Sequence, residues 1–92
     1  MPERSWGVEL SRSALKDLER IGKPASVRIL DKLDALSSDE NPLRNKDVRA
    51  LMGRLSGFHR FRVGEDGIIF ELDSPNRRLG VLAIVPRGTG YR

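Results

Sequence analysis

Phe58-His-Arg-Phe-Arg-Val-Gly-Glu-Asp-Gly-Ile-Ile-Phe-Glu-Leu72 is the stretch that decides how this chain folds. Residues 58–63 alternate in the two-residue period of a strand with one face buried, and residues 68–72 form a compact apolar run. Gly64-Glu-Asp-Gly67 between them carries turn residues, so the pair reads as a β-hairpin. Downstream, Asp73-Ser-Pro-Asn-Arg77 supplies a second turn, and residues 79–85 read as a further, largely buried strand. Upstream, residues 41–57 are mixed, and residues 47–52 read as a helical turn or as part of a loop. Further back, Pro24 suits the first turn of a helix whose stripe is Ile29, Leu30, Leu33 and Leu36, broken by Ser37, Ser38, Asn41 and Pro42. Ser11 is placed to cap an earlier helix over residues 11–21 with Ala14, Leu15, Leu18 and Ile21 on one side and Gly22 at its end. Trp6-Gly-Val-Glu-Leu10 alternates as a first short strand. The order is β-α-α-β-β-β, an α+β architecture with an antiparallel helical hairpin on one face of a mostly antiparallel sheet. The other face is left for function.

At 92 residues the chain is expected to form one domain, spanning residues 1–92. No Cys and a single His remove disulfides, thiolate chemistry and the usual zinc and Ser-His constellations, so neither metal nor cofactor is expected. No apolar run approaches the roughly 20 residues of a membrane span, and the first ten residues lack a signal-peptide core, which reads as a cytoplasmic protein with no membrane partner. Lys and Arg number 17 against 13 Asp and Glu, a net charge of +4. The excess is uneven: residues 1–40 hold 7 basic and 8 acidic side chains, residues 41–92 hold 10 and 5. Such an asymmetry attracts a polyanion.

Period-2 geometry puts Phe58, Arg60 and Arg62 on one strand face and His59, Phe61 and Val63 on the other. Two guanidiniums side by side cost stability unless something neutralises them, and a phosphodiester does so through bidentate hydrogen bonds. Ion pairs with Glu71 or Asp73 on the neighbouring strand are the competing reading. In the tail Pro86-Arg-Gly-Thr-Gly-Tyr91-Arg92, Arg87 and Tyr91 are joined through glycines that permit close approach, so both are able to reach one ligand, the competing reading being a frayed C-terminus. Trp6 reads as a core anchor, and His59, facing away from the arginines, is poorly placed as a general base.

These residues resemble the RelE/ParE superfamily of toxins from toxin-antitoxin pairs. The likeness runs through the opening strand and helical hairpin, Asn41-Pro42, Leu51-Met-Gly-Arg-Leu-Ser-Gly57, Arg60-Phe-Arg-Val-Gly64, Ile68-Ile-Phe70 and the closing strand with its Tyr91-Arg92 end. The resemblance implies a ribosome-dependent mRNA endonuclease that works through attack by the 2′-hydroxyl. Arg60 and Arg62 then take the places of the strand cations, Arg87 that of the arginine on the scissile phosphate, and Tyr91 that of the base-stacking tyrosine. Lys46, Arg54, Arg77 and Arg78 are the expected further RNA contacts. The chain departs from the family at Glu65-Asp66-Gly67, where Asp-Tyr-Arg is usual. The missing arginine implies an activity that is weak, absent, or supported by Arg77, Arg78 or Lys46 instead. The alternatives are a ParE-like inhibitor of DNA gyrase and a degenerate member that only binds antitoxin or RNA. The implied partners are a cognate acidic antitoxin encoded nearby, the ribosome with its mRNA, and operator DNA through the antitoxin alone.

Overall fold

The hairpin forms as the sequence predicts, but with a shorter turn: Asp66 and Gly67, read as turn residues, belong to its second strand, because Arg62 and Val63 pair with them. In the computed structural model, which describes residues 5–86, strands β3 (His59–Val63) and β4 (Asp66–Asp73) are antiparallel, with Val63 across from Asp66. Only Gly64 and Glu65 lie between, and Gly64 takes φ +60. A two-residue turn with glycine in this left-handed region matches the right-handed twist of the strands, and a side chain there would be strained. Strand β5 (Arg78–Pro86) pairs antiparallel with β4, and β1 (Gly7–Leu10) pairs parallel with β5. A fifth strand, β2 (Val48–Ala50), adds to β3, so the sheet order is β1-β5-β4-β3-β2. Residues 48–50 are therefore a strand, not the helical turn or loop that the sequence suggests for residues 47–52. Three residues are too few to announce a strand by periodicity, and β2 exists because β3 offers it a hydrogen-bonding edge.

Helices α1 (Arg12–Ile21) and α2 (Ala25–Ser37) cover one face of the sheet. Ile29, Leu33 and Leu36 of α2 and Ala14 and Leu18 of α1 meet Phe61, Val63, Ile68, Phe70, Leu79, Val81 and Ile84 of the sheet, with Trp6 closing one end. Leu15 and Leu30, expected in the buried stripes, are instead 49% and 44% exposed. Adjacent helical residues lie about 100° apart, so a stripe centred on Ala14 and Leu18, or on Ile29 and Leu33, turns their neighbours outward. No helix among the described residues is long and apolar enough to cross a membrane.

Because β1 ends at Leu10, the β5 edge beyond Val81 lacks a strand partner, and α1 satisfies it. The Ser11 hydroxyl caps α1 by accepting from Ala14 N–H and donates to the Leu82 carbonyl at 2.6 Å. Buried Asp17 accepts from Ile84 N–H at 2.9 Å and pairs with Arg20 at 2.9 Å. The Asp17→Ala variant strands a buried N–H donor, so we expect a loss of about 2 kcal/mol in urea unfolding, within the range for hydrogen bonds to charged groups. A loss of a few tenths would show that water reaches this edge. Ile69 faces Ala83 while Phe70 faces Val81, which leaves Leu82 as an extra residue in β5. This bulge keeps both Val81 and Ile84 in the core.

Candidate phosphate-binding site

The face of the sheet away from the helices carries the cations. Register fixes their rows, because residues directly opposite on neighbouring strands share a face. In one row Arg49 of β2 lies across from Arg60 of β3, which lies across from Ile69. In the next, the Asp47 carbonyl accepts from Arg62 N–H at 3.0 Å, and Arg62 lies across from Gly67. Lys46 joins these residues at the strand edge. Lys46, Asp47, Arg49, Arg60 and Arg62 line a cleft of about 170 Å³. All four cations are exposed, Asp47 is half-buried, and among the described residues none of the five has an ion pair within 4.0 Å.

Like charges facing each other across a strand pair are destabilising, so such a cleft is a standing demand for an anion. Guanidinium forks meet phosphate oxygens with two hydrogen bonds, and the open cleft admits a chain-like ligand. The competing reading, in which Glu71 or Asp73 neutralises the strand arginines, does not hold: β3 pairs with residues 66–70 of β4 and stops short of both. A larger open groove of about 440 Å³ lies further along the same face, but Glu9 and Glu71 line it beside Phe58 and Leu82, which disfavours a polyanion.

Of the cations expected from sequence, the structure brings together Lys46, Arg60 and Arg62. Arg54 is exposed in the 3₁₀ turn Gly53–Leu55 and does not line the cleft. Arg77 lies with Cζ 4.2 Å from the Trp6 ring centroid and its Nε donates to the Ser5 carbonyl at 3.0 Å. Arg78 pairs with Glu9 at 3.0 Å. Both therefore sit at the β1 side of the sheet in contacts of their own. Trp6 anchors the core as read, 4% exposed, with its indole N–H donating to the Glu40 carbonyl at 3.2 Å. His59 faces inward, its ring 5.8 Å from that of Phe70, and its Nδ1 is buried with no hydrogen-bond partner. Arg87 and Tyr91 lie outside the described residues. Pro86, the last described residue, pairs with Asp66 at the end of the sheet where Gly67 lies.

Sequence reasoning missed Arg49 and Asp47. The available signal was Asp47-Val-Arg49, a polar-apolar-polar triplet, but it becomes a strand pattern only once β3 is known to lie beside it.

The family model of ParE toxins of type II toxin-antitoxin systems, parDE, matches residues 8–91. Comparison with curated proteins finds no match. Among solved structures, the chain is similar to the toxin-antitoxin complex RelBE2 of Mycobacterium tuberculosis, with a TM-score of 0.79 and 20% identity over 89% of this chain and 91% of that one. The archaeal RelE-RelB complex of Pyrococcus horikoshii OT3 gives 0.75 and 25% over 94% and 99%. The isolated RelE toxin of E. coli gives 0.68 and 14% over 92% and 87%. At 20% and 14% identity, the first and the third of these likenesses speak for the fold alone.

Proposed function

Because the chain belongs to the ParE toxin family of type II toxin-antitoxin systems, and so is a toxin of the RelE/ParE/YoeB superfamily, we propose that it acts as an endoribonuclease on mRNA held in the ribosome. The observation that carries this reading is the cleft of Lys46, Arg49, Arg60 and Arg62, which have no ion-pair partner among the described residues, a surface suited to a phosphodiester backbone. In the reaction the 2′-hydroxyl oxygen forms a bond to the adjacent phosphorus and the bond to the 5′ oxygen breaks. The products are a cyclic phosphate and a 5′-hydroxyl. Arg60 and Arg62 neutralise the charge that builds on the phosphate oxygens, and because guanidinium stays protonated they accept no proton. Asp47, the carboxylate in the cleft, is the group there able to take the 2′-hydroxyl proton, and water supplies the proton that completes the 5′-hydroxyl of the leaving strand. By resemblance, Arg87 adds a contact to the scissile phosphate and Tyr91 stacks on a base.

The same reading gives the toxin a cognate antitoxin as its partner in the cytoplasm. The similar structures from M. tuberculosis and P. horikoshii are complexes of this kind. An acidic antitoxin complements the +4 charge, and exposed Leu15, Val27 and Leu30 on the helices offer it apolar surface. Operator DNA is reached through the antitoxin.

The test is to induce the toxin without its antitoxin and map mRNA 5′ ends. New ends phased with codons are the expected result. Growth arrest without new ends, together with inhibition of gyrase supercoiling by the purified protein, would transfer the toxin to the gyrase-inhibiting class. Absence of any growth defect would mark a member that only binds.

A further inference from the structure

Gly67 is buried although it lies on the outer face and carries no side chain. What covers it is Arg60. A Cβ placed on Gly67 would lie 2.5 Å from Arg60 Nε and 3.2 Å from its Cζ and Nη2. The Arg60 side chain therefore leaves its own row, where it faces Arg49 and Ile69, and lays its guanidinium over the next row, directly beside Arg62's partner. Two forces account for the lean. Arg49, opposite Arg60 across β2, repels it, and the bare peptide at Gly67 gives a flat surface on which a planar, weakly hydrated guanidinium stacks. The consequence is convergence: the two strand cations, two residues apart in sequence, serve one row of the sheet.

From this geometry we infer that Gly67 is the seat of Arg60, a positioning residue that sets the guanidinium beside Arg62 so that both reach one phosphate. The inference rests on the phosphate-binding reading of the cleft and adds to it a residue with no functional group of its own. Any side chain at position 67 takes the volume that the guanidinium occupies. Arg60 is long and flexible at its end, so a methyl group there displaces the charge with little strain on the backbone. In a strand interior Ala is also better than Gly, because it loses less backbone freedom on folding. Stability and binding should thus move in opposite directions, which a merely structural glycine does not allow.

The experiment is a double-mutant cycle of Gly67→Ala and Arg60→Ala, read by the anisotropy of a labelled single-stranded decauridine and by the urea midpoint. Gly67→Ala alone should weaken binding by about tenfold, the loss of one charge-assisted contact, while its midpoint stays level or rises. In the Arg60→Ala background the same substitution should leave binding unchanged and raise the midpoint. A second readout needs no nucleic acid: the Arg60 Nε–Hε resonance, identified by its loss in Arg60→Lys, should shift when Gly67 becomes Ala. Binding unaffected by Gly67→Ala, or an equal loss in both backgrounds, would overturn the seat. Should the parent protein fail to bind decauridine at all, the phosphate reading of the cleft falls, and the resonance alone judges the seat. A shifted resonance upholds it and an unmoved one overturns it.

Discussion

On the endoribonuclease reading proposed above, replacing Arg60 and Arg62 together by Ala is expected to lower mRNA cleavage by about a hundredfold or more, the size of effect seen when a group that stabilises transition-state charge is removed. The measurement is the cleavage rate constant on programmed ribosomes at saturating toxin. If the two guanidiniums act on the transition state, the loss appears in that rate constant, whereas anchors of the RNA would raise only the concentration needed for saturation. The protein should not weaken in parallel. Arg60 lies across from Arg49 of β2, and among the described residues no carboxylate within 4.0 Å pairs with either strand arginine, so the substitutions relieve repulsion. The unfolding free energy should therefore stay within about 0.5 kcal/mol of the parent or rise. A large fall in stability with cleavage intact would remove both residues from the site and return them to the fold.

The largest expected effect on stability belongs to Phe70→Ala. Phe70 is fully buried at the centre of β4, across from His59 on one side and Val81 on the other, between strands that both pair along most of its length. Truncation removes the ring that His59 rests against and leaves a cavity under the helices, at a cost of about 3–5 kcal/mol. Small domains are stable by only about 5–15 kcal/mol, so the variant should be substantially unfolded at modest urea and should lose toxicity through lack of folded protein. Co-expression with the antitoxin is expected to restore part of the soluble yield by mass action. A loss below about 1 kcal/mol would mean that the helices close over the vacated volume and that the core around Phe70 is loosely packed.

The two variants divide the hairpin into its two faces, and the sequence alone separated them. Alternation along residues 58–63 puts Arg60 and Arg62 on one side and His59, Phe61 and Val63 on the other, because strand period is a property of each residue and its immediate neighbours. The turn at Gly64, the Ser11 cap and the order of every strand and helix except β2 were legible for the same reason: each depends on a few consecutive residues. What the tertiary structure decided is everything that depends on pairing at long range. Strand β2 is three residues long and exists only against β3, and through it Arg49 and Asp47 enter the cleft. Arg77 and Arg78 were equivalent to the other cations by composition, but the fold sets them against Trp6 and Glu9, roughly 70 positions earlier in the chain. Leu15 and Leu30 satisfy a helical period and are nevertheless exposed, since the width of the buried stripe is set by what packs against it. The lean of Arg60 over Gly67 joins two strands at a diagonal, a contact fixed by register and by repulsion from Arg49. Local periodicity assigns a residue to a face, and only the register of distant strands assigns it a neighbour.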